Sequence, residues 1–333
     1  MVRRRVLLGS AALGAAGLVA RAAGPAQAAT TGAQAPGGSN YGWYRLDGCN
    51  REPYGVVNSF HNAPDVIRGQ LAALRAAGQA RLRVPIYHRH GPETGTVMDS
   101  TGGDLSASNR QNLTDLLRAI ADAGFVEIQV SFMTIGDNAP WTWQAWNEDI
   151  FQENWNLIYN LHPIIAGAGI PYRIDLCNEA MPPSGMPILL AYTQRLWINY
   201  TSVFGKNDTC GFSTVGIPER ISQIPNVYGD NPPYLFDFHF YRNVVVDEYA
   251  RFTTAHQLMN QYGYTNQGWT IGEVYYNDPT AARNLRRAMD STGRTVFYLL
   301  QWPLQAPRID FPTCDDVSVA PPVDFAAYTA QGF

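Results

Sequence analysis

Two glutamates, Glu179 and Glu273, each close a short apolar run in this chain of 333 residues. Glu179 ends Arg173-Ile174-Asp175-Leu176-Cys177-Asn178-Glu179, where Ile174 and Leu176 alternate with other residues as in a buried strand. Glu273 ends Trp269-Thr270-Ile271-Gly272-Glu273 in the same manner. An acid placed where a strand gives way to a loop stands on the rim where alternating strand-helix proteins collect catalytic groups. The dipeptide alone is not the signal, because Asn147-Glu148 repeats it after a Trp-rich stretch and opens a helical pattern. The two glutamates are 94 residues apart, the length of three strand-helix units of roughly 30 residues each. In a ring of such units both acids would face one cleft. Two carboxylates on one pocket are what cleavage of a glycosidic bond needs, one as general acid and base and the other as nucleophile or base.

The elements that must position them follow from periodicity. Strands are expected at 42–46, 80–86, 126–132, 172–176, 210–215, 235–240, 270–273 and 296–301. Helices are expected at 64–77, 109–123, 149–167, 186–203, 218–224, 246–262 and 279–291, where apolar residues recur at three- and four-residue spacing. Gly78, Gly124 and Gly167 follow three of these helices and suit left-handed C-terminal caps. Eight strands with helices between them predict a single α/β domain, a (β/α)8 barrel of the TIM type. The rival is an open doubly wound sheet, which normally carries an early Gly-rich phosphate turn. Neither GxGxxG nor GxxxxGK[ST] occurs.

The ends and the charge bound the function further. Met1-Val2-Arg3-Arg4-Arg5, the apolar stretch 6–20 and Ala26-Gln27-Ala28 read as a secretory signal over 1–28, with paired arginines that suit a twin-arginine route. Residues 29–39 read as a flexible leader and 40–333 as the catalytic barrel, leaving a mature domain of about 295 residues. The expected location is extracellular. Losing Arg3, Arg4, Arg5 and Arg21 would take the formal net charge from -4 to -8, so no electrostatic footprint for nucleic acid or an anionic membrane is present. Cys49, Cys177, Cys210 and Cys314 form an even set in an exported chain, which suggests disulfides. Cys49 with Cys314 would tie the two ends of the domain. Cys177 and Cys210 either lie side by side or pack as buried thiols.

Taken together, the strand ends resemble glycoside hydrolase clan A, and within it family five, the cellulase and mannanase group. Asn178-Glu179 after the fourth strand and Glu273 after the seventh match the clan's layout. Arg81-Leu82-Arg83-Val84-Pro85 resembles the family's Arg-x-Pro strand, Asp237-Phe238-His239-Phe240-Tyr241 its His-x-Tyr, and Leu300-Gln301-Trp302 the tryptophan that ends the eighth strand. The chain departs from the pattern at Cys177, where a small residue is usual, so a distant or separate family of the clan is implied. The resemblance implies Glu179 as acid/base and Glu273 as nucleophile of a retaining mechanism. It also implies a substrate-binding set of Arg83, Asn178, His239, Tyr241 and Trp302. Arg83 would supply a cation and a forked hydrogen bond to Glu273, Asn178 a contact to a sugar hydroxyl, and Trp302 a flat face for a sugar ring.

Other residues carry weaker signals. Trp141, Trp143 and Trp146 read first as a local hydrophobic patch, and His88 and His90 as a loop pair with no third ligand for a metal. The expectation is therefore a monomeric, secreted, retaining β-glycoside hydrolase of a poly- or oligosaccharide, without cofactor or metal. A non-catalytic carbohydrate-binding barrel and a transglycosylase using the same site are the alternatives.

Overall fold

The computed structural model describes residues 35–44, 54–304 and 323–333. Its strands are β1 (Gly38–Asn40), β2 (Trp43–Tyr44), β3 (Tyr54–Gly55), β4 (Arg81–Arg89), β5 (Met98–Asp99), β6 (Glu127–Thr134), β7 (Tyr172–Asp175), β8 (Thr209–Gly211), β9 (Thr214–Val215), β10 (Leu235–His239), β11 (Gly268–Glu273) and β12 (Val296–Gln301). The main sheet runs β8-β7-β6-β4-β1-β12-β11-β10-β9, and every neighbouring pair in it is parallel. Its two ends, β8 and β9, are separated in the chain by Phe212 and Ser213 alone. They are halves of one interrupted strand, so the sheet closes on itself as the (β/α)8 barrel that the alternation predicts.

The helices are α1 (Pro64–Ala76), α2 (Ala107–Asp122), α3 (Glu148–Ala166), α4 (Pro187–Phe204), α5 (Pro218–Ile221), α6 (Ile224–Tyr228), α7 (Glu248–Gln261), α8 (Pro279–Thr292) and α9 (Ala326–Thr329). They start where local chemistry caps them. Asn147 accepts from the backbone N–H of Ile150 at 3.2 Å to open α3, and Asp278 accepts from Thr280 and Ala281 to open α8. Thus Asn147-Glu148 is a helix start, while Asn178-Glu179 is a strand end. Gly78 and Gly124 take the left-handed conformation expected of them, whereas Gly167 stays right-handed at φ -80 and Gly169 makes the turn.

The first barrel strand lies earlier than the sequence suggests. It is Gly38–Asn40, while Trp43–Tyr44, expected inside strand 42–46, pairs antiparallel with Tyr54–Gly55 outside the barrel. A Cβ on Gly38 would sit 1.9 Å from the carbonyl oxygen of Arg81, and one on Gly37 2.0 Å from that of Leu299. Only the smallest residues fit between β4 and β12 there, so this strand lacks the β-branched, apolar signature of a barrel wall. Residues 37–39, read as leader, are therefore part of the barrel.

Apolar packing lies between the barrel and its helices. Leu82, Val84 and Ile86 of β4 are fully buried with Ile67, Leu71 and Leu74 of α1 and Leu113, Leu116 and Leu117 of α2 in one core. Each such side chain contributes about 1.5–3 kcal/mol when removed from water. The alternate residues turn inward, and they are polar: Arg83, Gln129, Ser131, Asp175 and Asp237 are all buried. The barrel thus puts its apolar layer outside and a hydrogen-bonded polar layer inside. Residues 323–333 pack beside the eighth unit, with the Tyr328 hydroxyl donating to the carbonyl of Tyr275 at 2.5 Å.

Candidate active site

Glu273 faces the barrel interior because β11 breaks its own alternation. Thr270 points inward, donating to Asp237 at 3.1 Å, and strict alternation would turn Gly272 inward and Glu273 outward. Instead the register with β10 slips, pairing Phe238 with Ile271 and His239 with Glu273. Gly272 is the extra residue of this bulge, a device that re-aims the next side chain. Glycine is required there, since a Cβ would lie 2.4 Å from a carboxylate oxygen of Asp237.

Glu179 is aimed by backbone strain. Its φ is +51, a left-handed conformation that costs a side-chain-bearing residue about 1–3 kcal/mol. The turn is held from both sides. Its N–H donates to Ser213 Oγ at 2.9 Å, and its carbonyl accepts from Arg220 Nη1 at 2.7 Å. Ser213 sits in the gap between β8 and β9, so the interrupted strand supplies that support.

Arg83 lies beneath both acids and is fully buried. Its Nη1 donates to Glu273 Oε1 at 2.7 Å and to Asn40 Oδ1 at 2.9 Å. Its Nη2 donates to Asp175 Oδ2 and Ser131 Oγ at 2.8 Å and to Asn178 Oδ1 at 2.6 Å. The fork expected on Glu273 is therefore divided between Glu273 and Asp175. Burial disfavours the Arg83 charge, but Glu273, Asp175 and Asp237 outweigh it and push its pKa up. Arg83 acts as a buried positioning cation rather than a group in reach of a sugar.

The remaining sequence-predicted residues converge here. Tyr241 donates to Glu273 Oε2 at 2.9 Å, so both oxygens of that carboxylate are engaged. His239 Nδ1 lies 2.9 Å from Glu179 Oε1 and 3.5 Å from Glu273 Oε2. His239 is fully buried, so it serves the carboxylates and not a sugar hydroxyl. Because Asn178 gives its oxygen to Arg83, its amide N–H groups are left to face the cavity. One oxygen each of Glu179 and Glu273 and a nitrogen of His239 lie within 4.8 Å of one another.

The charges of the three groups act on one another. His239 is raised: burial opposes its charge, but Glu273 and Glu179 outweigh burial. Glu179 is held below the usual carboxylate range, since the His239 hydrogen bond and charge, with Arg220 and Arg83, overcome its burial. Glu273 is raised by burial, which His239 and Arg83 offset only in part and the Glu179 charge reinforces. These directions are the reverse of those an isolated acid and an isolated nucleophile would show. They describe a unit of coupled groups, each of whose charges shifts the other two.

The same trio offers three atoms close enough that they could hold a metal ion, a grouping that sequence spacing did not reveal. A divalent ion there would have to compete with Arg83 and Tyr241, which already hold both oxygens of Glu273. His88 and His90 do not join it. His88 is buried in β4 against Ser100, where burial pushes it down to about 3, and His90 pairs with Glu153. His88 was expected in a loop and is instead part of the barrel wall.

Above the carboxylates opens a cavity of about 600 Å³, lined by Trp43, Tyr87, Met133, Asn178, Glu179, Tyr241, Glu273, Tyr275, Trp302 and Leu304. Trp43 meets Trp302 edge-on at 5.3 Å and Tyr87 at 5.7 Å, making an aromatic wall. A second cavity of about 290 Å³ shares Asn178 and Glu179 with the first and is otherwise lined by Trp141, Leu189 and Arg220. Trp143 and Trp146 pack on each other and on Tyr192 and Phe151, the hydrophobic patch expected of them.

The fold is found in solved structures. One is a GH5_18 protein from Bifidobacterium longum subsp. infantis, 11% identical with a TM-score of 0.59, covering 90% of this chain and 78% of that one. The fold is that of family five glycoside hydrolases. A GH5_18 variant from Streptomyces cattleya, crystallised with Manb1-4GlcNAc, is 11% identical with a TM-score of 0.57 over 89% of this chain and 80% of its own. A glucosidase from Croceicoccus marinus is 12% identical with a TM-score of 0.57 over 90% and 67%. No protein-family model and no curated protein matches the chain.

Several site residues escaped the sequence reading. Asn40 comes from a strand too short to register, and Ser213 from the gap within the strand expected at 210–215. Trp43 lies in a ribbon beside the barrel, and Arg220 in a four-residue helix. Asp175 was visible only as one more residue of the Glu179 strand. Cys177 and Cys210 are buried free thiols, so no bridge joins them; Cys49 and Cys314 fall outside the described residues, as does the expected signal.

Proposed function

We propose that the protein is an exported, retaining β-glycoside hydrolase that cleaves an oligo- or polysaccharide by double displacement. The observation that carries this is the approach of Glu179 and Glu273, with oxygens inside 4.8 Å at the base of an aromatic-walled cavity. Retaining enzymes hold their carboxyls about 5–5.5 Å apart, and inverting ones leave room for a water between them at about 6.5–9.5 Å. Glu273, fixed on both oxygens by Arg83 and Tyr241, is placed to attack the anomeric carbon. Glu179, at the cavity edge with a 35% exposed side chain, is placed to protonate the departing oxygen.

His239 supplies the missing step. In the free protein the proton rests on its imidazole, bonded to Glu179. A neutral sugar filling the cavity displaces water and raises the cost of keeping both charges on His239 and Glu179. The proton then passes to Glu179 along the 2.9 Å hydrogen bond, and the acid is armed as substrate binds. Asn178, with its N–H groups free, donates to a hydroxyl beside the reacting carbon. Export rests on the arginine-led apolar segment and the Ala26-Gln27-Ala28 pattern at the N-terminus.

The test is hydrolysis of aryl β-glucosides, β-mannosides and β-xylosides and of glucan, mannan and xylan, by the protein and by Glu273→Gln. The anomeric form of the first product is followed by NMR. Activity with retained configuration, lost in the variant and untouched by a chelator, is the expected result. Inverted product overturns the double displacement, and loss of activity on chelation would turn the Glu179, His239 and Glu273 trio into a metal site.

A further inference from the structure

The second cavity has a feature that the hydrolytic roles do not use. Arg220 lines it and belongs to the four-residue helix α5 (Pro218–Ile221). Its Nη1 is anchored to the backbone carbonyls of Glu179 at 2.7 Å and Met181 at 2.5 Å. Among the described residues no carboxylate forms an ion pair with it, and its Nε and Nη2 have no protein acceptor. Burial lowers the pKa of Arg220 from its ordinary value while the Glu179 charge opposes that shift, and with Nη1 held by the carbonyls the Nε–Nη2 edge is left for a planar anion.

The neighbours set what else can bind. Trp141, 40% exposed, and Leu189 give apolar walls, and Asn178 and Glu179 line this cavity and the larger one alike. The volume of about 290 Å³ suits one ring. Glu179 lines both cavities, so a glycosidic oxygen that it protonates can have its sugar in the larger one and its leaving group in the smaller.

We propose that the cavity formed by Trp141, Leu189 and Arg220 is the leaving-group subsite, and that Arg220 makes it selective for a leaving group bearing an anionic substituent such as a carboxylate. This rests on the hydrolase reading above. The ring of the leaving group lies on Trp141, and its anion meets the free edge of Arg220 in a charge-assisted pair. The chain as a whole carries a formal net charge of -4, which gives an anion no general attraction. The selectivity is therefore local to this one side chain.

The experiment compares 3-carboxyphenyl with 3-carbamoylphenyl β-glucosides and β-mannosides, which present a charged or a neutral group of the same shape. The ratio of their kcat/KM values is measured for the protein, Arg220→Lys and Arg220→Met. A ratio within one protein cancels any general damage to the Glu179 turn. The expected ratio is about tenfold in favour of the carboxylate, the size of one charge-assisted hydrogen bond. It should persist in part in Arg220→Lys and fall to about one in Arg220→Met. A ratio of about one in the unaltered protein, with brisk hydrolysis of both, overturns the anionic subsite and leaves the hydrolase reading standing. A ratio that survives in Arg220→Met assigns selectivity elsewhere and overturns the role of Arg220. Silence on both substrates and on 4-nitrophenyl glycosides overturns the hydrolase reading, and the leaving-group role with it.

Discussion

Nη1 of Arg83 lies 2.7 Å from Oε1 of Glu273, and the other amino group of the same guanidinium lies 2.8 Å from Asp175. One buried cation thus joins the seventh barrel strand to the fourth, and the site to the polar layer under it. Lysine has a single charged head and cannot reach both carboxylates and the amides of Asn40 and Asn178. Arg83→Lys should therefore leave a buried carboxylate underpaired, at about 3–5 kcal/mol of stability. Urea denaturation followed by fluorescence measures this. A variant within about 0.5 kcal/mol of the unaltered protein would show that the charges are matched by other groups.

The two glutamates should separate by leaving group. Glu179→Gln removes proton donation, worth about a hundred- to ten-thousand-fold, but a 2,4-dinitrophenolate departs without a proton. Its release should be nearly spared in Glu179→Gln, whereas Glu273→Gln should lose good and poor leaving groups alike. Equal losses for both substrates in Glu179→Gln would remove it from the acid role.

The pH dependence turns on His239. Its pKa is raised from 6.5, so the stability it gives is fully present below that value and is lost as pH rises through the raised folded value. Glu179 is lowered from 4.5, so its share is present above that value and is lost as pH falls through the lowered one. The pair therefore stabilises most between the two ordinary values. His239→Asn should reduce Tm more at about pH 5.5 than at about pH 9. Its kcat/KM profile should lose activity at lower pH on the basic side, because the proton must then rest on a carboxyl rather than an imidazole. An unmoved basic limb would mean that His239 does not hold the catalytic proton.

What could be read from the chain, and what could not, follows from the range over which each signal acts. The apolar alternation around Ile174 and Leu176 is local, so the strand and the acid at its end are visible in a few residues. Helices α1 to α4 (64–204) fall within two residues of their expected bounds because their periodicity is long and their caps are local. Gly38 and Gly37 look like linker, because the backbone atoms that exclude a side chain there belong to Arg81 and Leu299, distant in the chain. The strain at Glu179 depends on Ser213 and Arg220, and the second cavity on Trp141 and Leu189, contacts that only the closed barrel makes. The resemblance implied which acid is the proton donor and which the nucleophile; it did not show that Arg83 divides its bonds or that His239 is fully buried.

Gly272 tests whether the bulge is what aims the nucleophile. Its absent Cβ would fall 2.4 and 2.5 Å from the two carboxylate oxygens of Asp237. That carboxylate cannot swing aside, since Gln129 donates to one oxygen and Thr270 to the other. In Gly272→Ala the strand must yield instead, at about 1–3 kcal/mol of overpacking. The displacement falls on the next residue, which must stay within hydrogen-bond reach of both Arg83 and Tyr241 to remain an oriented anion. Activity should therefore drop by far more than stability, on the order of a hundredfold for a misplacement of about 1 Å, while the circular dichroism of the barrel persists. Full activity in a folded Gly272→Ala would show that β11 reaches the same geometry without its extra residue, and that the bulge is not what points Glu273 at the substrate.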